Sequence, residues 1–188
     1  MFGLPDQAIG AILAAIIAGA VALLGLIISK EQKVSEFRQQ WIDALREDIA
    51  AVIRYGHCMC SYRSIAQKPG ENPWDKINQE YAGLTEALAR IRLRLNQREQ
   101  ESLFLLVALN KDLAAVKKVM TNDDRSLDSD MTAVMSASDE LVAAAQVVLK
   151  QEWVRVRSGE RVYRIARWAA LLVIIALIAA LLYHLFRK

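Results

Sequence analysis

The sequence predicts an all-α membrane protein, with an N-terminal and a C-terminal transmembrane helix flanking a cytosolic antiparallel helical bundle. Three observations carry this. Residues 8–28 and 168–186 are apolar runs free of Asp, Glu, Lys and Arg, each close to the roughly 20 residues that cross a bilayer core. Hydrophobic residues are 54% of the 188, against three prolines and eight glycines, a balance that favours helix throughout. Between the runs, apolar residues recur at spacings of three and four, the period of a helix with one buried face.

The first run, AIGAILAAIIAGAVALLGLII, follows a leader without Lys or Arg. It is longer than the apolar core of a secretory signal and continues past Ala18-Gly19-Ala20, so it reads as a retained span. Gly10, Ala14, Ala18 and Ala22 recur every four residues, with Ala11, Ala15 and Gly19 beside them. Such a ridge lets helix backbones approach closely in lipid, either within the chain or between subunits.

The second run, WAALLVIIALIAALLYHLF, has Trp168 and Tyr183 near its ends, where aromatic rings favour the headgroup zone. His184 is close enough to the end to snorkel to the interface. Lys30, Lys33, Arg38 and Arg46 follow the first run; Lys150, Arg155, Arg157, Arg161, Arg164 and Arg167 precede the second; only Arg187 and Lys188 lie beyond it. Positive charge concentrates on the cytosolic side. This predicts extracytoplasmic termini at 1–7 and 187–188, spans at 8–28 and 168–186, and a cytosolic bundle at 29–167 in a bacterial inner membrane. Cys58 and Cys60, too close together to staple a fold, fit a reducing cytosol.

The bundle elements follow in order. Val34, Phe37, Trp41, Leu45, Ile49 and Val52 form one face of a helix that grows out of the first span and runs to about Ala66. The Pro69-Gly70 pair breaks it. Asn72-Pro73-Trp74-Asp75 reads as a helix start, with Asn72 as cap and Pro73 in the first turn. Ile77, Tyr81, Leu84, Leu88, Ile91 and Leu95 then form a heptad seam, which needs a partner helix. The phase fails after Leu95. A tight turn at 96–98, with Asn96 and Glu99 as a reciprocal capping pair, is expected over a continuous helix with a slip. Leu106, Leu109, Leu113, Val116 and Met120 mark the third helix. The polar loop at 121–130 lacks the Gly and closing Glu of a calcium loop. A fourth helix begins near Asp128 with Met131, Val134, Leu141, Val148 and Val156 on its stripe, and Ser158-Gly159 is a place to bend. Four helices return the chain to the membrane. The turn near Asn96 would then lie at the membrane end, and the loops at 67–72 and 121–130 at the far tip.

Chemistry-bearing patterns are sparse. His57, Cys58 and Cys60 offer three soft ligands at a spacing too tight for a structural zinc site, which wants four; they remain candidates for a metal or redox sensor. No phosphate loop, paired-carboxylate motif or Ser/His/Asp set is visible, so no metal, cofactor or catalysis is expected. Arg54 and His57 are closer together than the Arg and His of the HEPN ribonucleases. Arg90, Arg94 and Arg98 follow one helical edge, and Glu86 can pair with Arg90. With Arg155, Arg157, Arg161, Arg164 and Arg167 they would form a basic collar toward anionic lipid. Without interleaved aromatics, specific nucleic-acid binding is not expected.

The segment ISKEQKVSEFRQQWIDALREDIA, directly after the first span, resembles one found in small uncharacterised bacterial two-pass helical membrane proteins. IRLRLNQREQESLFLL resembles their second shared segment, which commonly has proline where this chain has Gln97. The layout is also broadly similar to two-pass effectors of bacterial conflict and anti-phage systems. The small-residue ridge, the heptad seam and the basic collar point to a non-enzymatic protein that self-assembles, and the resemblance implies a pore-like or membrane-perturbing effector in stress or phage defence. The alternative is a membrane-anchored scaffold that recruits a soluble partner through the distal tip.

Overall fold

The computed structural model describes residues 6–66, 72–121, 127–158 and 161–186. They form α1 (Asp6–Ala66), α2 (Trp74–Arg94), α3 (Gln100–Thr121), α4 (Leu127–Ser158) and α5 (Arg161–Phe186), with no strand among them. The ends at 1–5 and 187–188, residues 67–71 and 122–126 of the two expected tip loops, and Gly159 of the expected bend lie outside the described residues. Two compact units form: one is Gln39–Val154, the other is drawn from Met1–Arg38 and Arg155–Lys188.

The Gln39–Val154 unit is an up-down-up-down helical bundle. Cross-helix pairs fix the direction of each neighbour. Between α1 and α2, Asp48 meets Arg90 and Arg94, Tyr55 lies against Gly83, and Tyr62 faces the Lys76 ammonium at 5.6 Å. Rising numbers on α1 meet falling numbers on α2, so the two are antiparallel. Between α3 and α4 the pairs are Glu101 with Gln151 at 2.6 Å, Lys111 with Glu140 at 2.6 Å, Asp112 with Ser138 at 2.7 Å and Lys118 with Asp130 at 2.8 Å, again antiparallel. Gln39, the 95–99 turn and Val154 therefore share one end of this unit. Ala66, Trp74, Thr121 and Leu127 share the other.

Burial explains why these helices pack. Ile42, Leu45, Val52, Ile91, Leu105, Leu109 and Leu141 are 0% exposed, and each fully buried aliphatic side chain is worth about 1.5–3 kcal/mol. The seam on α2 keeps Ile77, Leu84, Ile91 and Leu95 buried and Leu88 half-buried, but Tyr81 is 60% exposed and Ala87 is buried instead. The reason lies at Gly83, two residues after Tyr81. A Cβ at Gly83 would collide with three carbons of the Tyr55 ring, so α2 meets α1 through a glycine and an aromatic face there. The Arg54 guanidinium carbon lies 4.1 Å from the centroid of the same ring.

Helix ends follow the local chemistry. α2 begins at Trp74, one residue later than expected, with Pro73 at the N-cap and no side-chain cap. Its C-terminal break is real. The Leu95 amide donates to Ile91 O at 3.1 Å and the Glu99 amide to Asn96 O at 3.0 Å. Asn96 Oδ1 accepts from the Arg98 amide at 3.1 Å, the local bond that suits Asn to turns. Helix resumes only at Gln100.

By length and composition, two helices among the described residues are candidate membrane spans. α1 has an apolar stretch near the N-terminus with mean hydropathy 1.9, none of it buried; α4 qualifies over Ser129–Arg157 with mean hydropathy 1.2, a third of it buried. Burial separates the two cases, because Val134, Ala137, Leu141, Ala145 and Val148 of α4 supply bundle core. α5, expected to carry the second span at 168–186, is helical throughout Arg161–Phe186 and shows a shorter apolar helix at Arg167–Ala176. Trp168 and Tyr183 are exposed.

Gly83→Ala tests the α1–α2 contact. Overpacking costs about 1–3 kcal/mol, more than the ~1 kcal/mol that alanine gains over glycine in a helix. We expect a lower melting temperature in wild type, and a neutral or raised one when the same substitution is made in a Tyr55→Ala background, as read by circular dichroism.

Candidate functional site

Three stripes carry polar groups into the bundle. On α3 one buried line runs through Leu105, Leu109, Asp112, Val116 and Val119, spaced four, three, four and three, with Ser102 and Ala108 also buried. On α4, Val134, Ser138, Leu141, Ala145 and Val148 are buried. On α1, Leu45, Ile49, Val52, Gly56 and Met59 continue one face. Gly56 lets that face approach α3, since a Cβ there would sit 3.0 Å from Val116 Cγ2. His57 is next to this contact.

The result is a hydrogen-bonded relay through three helices. Ser138 Oγ donates to Asp112 Oδ1 at 2.7 Å and lies 3.0 Å from His57 Nε2. A hydroxyl has one proton to give. With that proton on the Asp112 bond, Ser138 Oγ accepts from His57, and His57 carries a proton on Nε2. Asp112 is only 1% exposed and Ser138 5%. Burial raises the Asp112 carboxyl above its ordinary range, while the Ser138 hydrogen bond and the His57 charge pull the other way. Cys60 is fully buried nearby; burial, then the Asp112 charge, pushes its thiol up to about 11.

The relay contains the residue types of a hydrolase triad, which the sequence did not reveal as a set, but in a different order. A nucleophilic serine needs histidine as its immediate base and the acid behind the histidine. Here the serine is in the middle, is buried, and spends its proton on the acid. The arrangement ties α1, α3 and α4 in register. The high thiol pKa likewise keeps Cys60 protonated, whereas thiolate is the reactive form. Cys58 is half-buried. Among the described residues no group of three or more His, Cys, Asp and Glu is gathered as a metal site would require.

A second buried acid sits nearer the 95–99 turn. Asp48, with its side chain 6% exposed, receives Arg90 Nε at 2.7 Å and pairs with Arg94. Arg90 also pairs with Glu86. Losing Asp48 would remove the shared partner of both arginines, whereas losing either arginine leaves Asp48 paired with the other. Arg90 and Arg94, expected in the basic collar, therefore hold α2 to α1. Arg98 is exposed at the turn. Arg155, Arg157, Arg164 and Arg167 are exposed in the other unit, with Arg167 5.7 Å from the Trp168 ring centroid. The Arg161 and His184 side chains lie outside the described residues.

The expected packing ridge is open. Gly10, Ala14, Ala18 and Ala22 are exposed, and a Cβ built at Gly10, Gly19 or Gly25 would meet nothing within 4 Å. No family model, curated protein or solved structure matches this chain.

Asp48, Asp112 and Ser138 were the residues that pattern reading passed over. Each occupies an apolar stripe position, and a polar residue in that register was the available signal.

Two outcomes follow for the buried groups. The Asp112 carboxyl is raised on folding, so its contribution to stability is full below the unfolded value of 3.8 and is lost as pH rises through the folded value. Asp112→Asn keeps an acceptor for Ser138 and abolishes that loss. We expect the variant's melting temperature to gain on wild type as pH increases from acid to neutral; a gap independent of pH would contradict the burial effect. In iodoacetamide labelling followed by peptide mass spectrometry, Cys60 should stay unmodified at neutral pH until the bundle is unfolded.

Proposed function

We propose that this chain is a non-enzymatic integral membrane protein that self-assembles through its first span and acts on the membrane holding it, as a pore-like or membrane-perturbing effector in stress or phage defence. The observation that carries this reading is the unburied apolar stretch of α1 with its open small-residue ridge. In water such a stretch would forfeit about 25 cal/mol for each Å² of apolar surface left uncovered. In lipid that surface is at home, and a ridge of Gly and Ala offers backbone contact to another helix. α5 supplies the second span over 168–186. The charge bias supports a cytosolic bundle at a bacterial inner membrane with the termini outside. The defence role rests on the resemblance of layout.

The relay order and the protonated Cys60 favour a structural part for the bundle's polar core. This leaves the membrane segments and the outer bundle surface as the working parts. A scaffold reading draws on a different observation: Trp74, 48% exposed, stands at the bundle end that the tip loops adjoin in sequence. Exposed tryptophans are frequent anchors for protein partners.

Light scattering of the full chain in detergent, with the detergent mass subtracted, separates the readings. We expect a defined oligomer rather than a monomer, and we expect Gly10→Leu/Ala14→Leu/Ala18→Leu to break it down. A strict monomer at all concentrations would end the assembly reading and favour the scaffold.

A further inference from the structure

A groove of about 370 Å³ opens on the bundle between α1 and α4, lined by Arg46, Gln146, Leu149, Lys150 and Trp153. Its α4 members are spaced three, one and three, so they form a single helical edge facing Arg46. The volume is within the range of small-ligand sites, roughly 300–1,000 Å³.

The charge in the lining has one sign. Both charged members are cations, and no carboxylate is among them. Arg46 gives one NH1 bond to Asp43 at 3.1 Å, and its side chain remains 54% exposed, with donors to spare on the fork. Lys150 is exposed and makes no ion pair among the described residues. Leu149 and Trp153 add an apolar floor and an amphipathic ring; such rings favour the boundary between headgroups and acyl chains.

Position narrows the ligand further. The groove lies toward the end of the bundle shared by Gln39, the 95–99 turn and Val154. That is the end from which the chain runs into its apolar stretches. The same end leaves Leu93 87% exposed and Phe104 70% exposed, in the last turn of α2 and near the start of α3. Cations beside exposed apolar and aromatic groups suit an anionic bilayer surface better than a soluble anion, which would have no use for the apolar wall.

We propose that the Arg46–Lys150–Trp153 groove binds the phosphate headgroup of an anionic phospholipid, holding the bundle against the leaflet from which its spans emerge. This rests on the membrane reading above. Arg46 and Lys150 take the phosphate oxygens, and Leu149 and Trp153 line the start of the acyl chains.

The test is native mass spectrometry of the full chain in detergent, titrated separately with phosphatidylglycerol and phosphatidylcholine. Wild type should retain phosphatidylglycerol in preference. Arg46→Gln and Lys150→Gln should each reduce retention roughly fivefold, the scale of one cation at an anionic surface, while Lys117→Gln, on exposed α3 surface, should not. Lys150→Glu provides a second variant at an exposed site and should abolish the preference. Equal retention of both lipids, or no loss in the groove variants, overturns the proposal and leaves membrane anchoring intact. Displacement of the lipid by equimolar glycerol phosphate also overturns it, in favour of a soluble-anion site. Release of the chain from membranes by alkaline carbonate would overturn both this proposal and the membrane reading.

Discussion

In α1 one ladder of backbone hydrogen bonds runs from Asp6 to Ala66, 61 residues, while the side chains along it change their preferred surroundings twice. The first part carries no charge from 8 to 28; the middle carries Lys30, Glu31, Lys33, Glu36 and Arg38; the last presents Ile42, Leu45, Ile49 and Val52 to a closed core. A helix tolerates this because its backbone groups are satisfied internally whatever surrounds it, which is also why helices can cross lipid. Continuity of α1 thus lets one element serve as both a candidate span and a bundle strut. The remaining helices close the core around its last part.

That core is apolar in bulk but is positioned by a few buried polar groups. Asp48 ties α2 to α1 through Arg90 and Arg94, and the His57–Ser138–Asp112 relay ties α4 and α3 to α1. Leucine contacts tolerate sliding by a turn; hydrogen bonds between unique partners do not. The cost is visible at Asp112, whose carboxyl is raised by burial even with Ser138 donating to it. Gly56 and Gly83 act in the same sense by admitting α3 and the Tyr55 ring at single positions.

Much of this architecture was legible in residue spacing. The long first helix ending at Ala66, the start beside Pro73, the break after Leu95 and the fourth helix near Asp128 all followed from periodicity and turn chemistry. The expected α3 stripe overlaps the buried line at Leu109 and Val116 and departs from it at the other three positions. Leu106, Leu113 and Met120 are half-buried, and the buried line runs through Leu105, Leu109, Asp112, Val116 and Val119. An aspartate in a core position hid the register, since apolar periodicity gives no weight to a charge that finds its partner on another helix. Tyr81 was assigned to the seam for the converse reason: an apolar body at the right spacing cannot reveal that Tyr55 meets Gly83 two residues away. The pairing of Arg90 and Arg94 with Asp48 depends on a contact about forty positions distant, which no local pattern encodes. Composition also selects α4 as a span, and its burial in the core and lower mean hydropathy separate that case from α1.

The most direct measurement is a spin-label accessibility scan along α1 in liposomes, one cysteine at a time from residue 10 to residue 52 in a background without Cys58 and Cys60. A membrane-spanning first half requires high oxygen and low nickel-chelate collision at 14–28, a change to nickel access over 30–40, and protection from both at Ile42, Leu45, Ile49 and Val52. Nickel access throughout 14–28 would show that stretch to be in water and would contradict a membrane-anchored bundle.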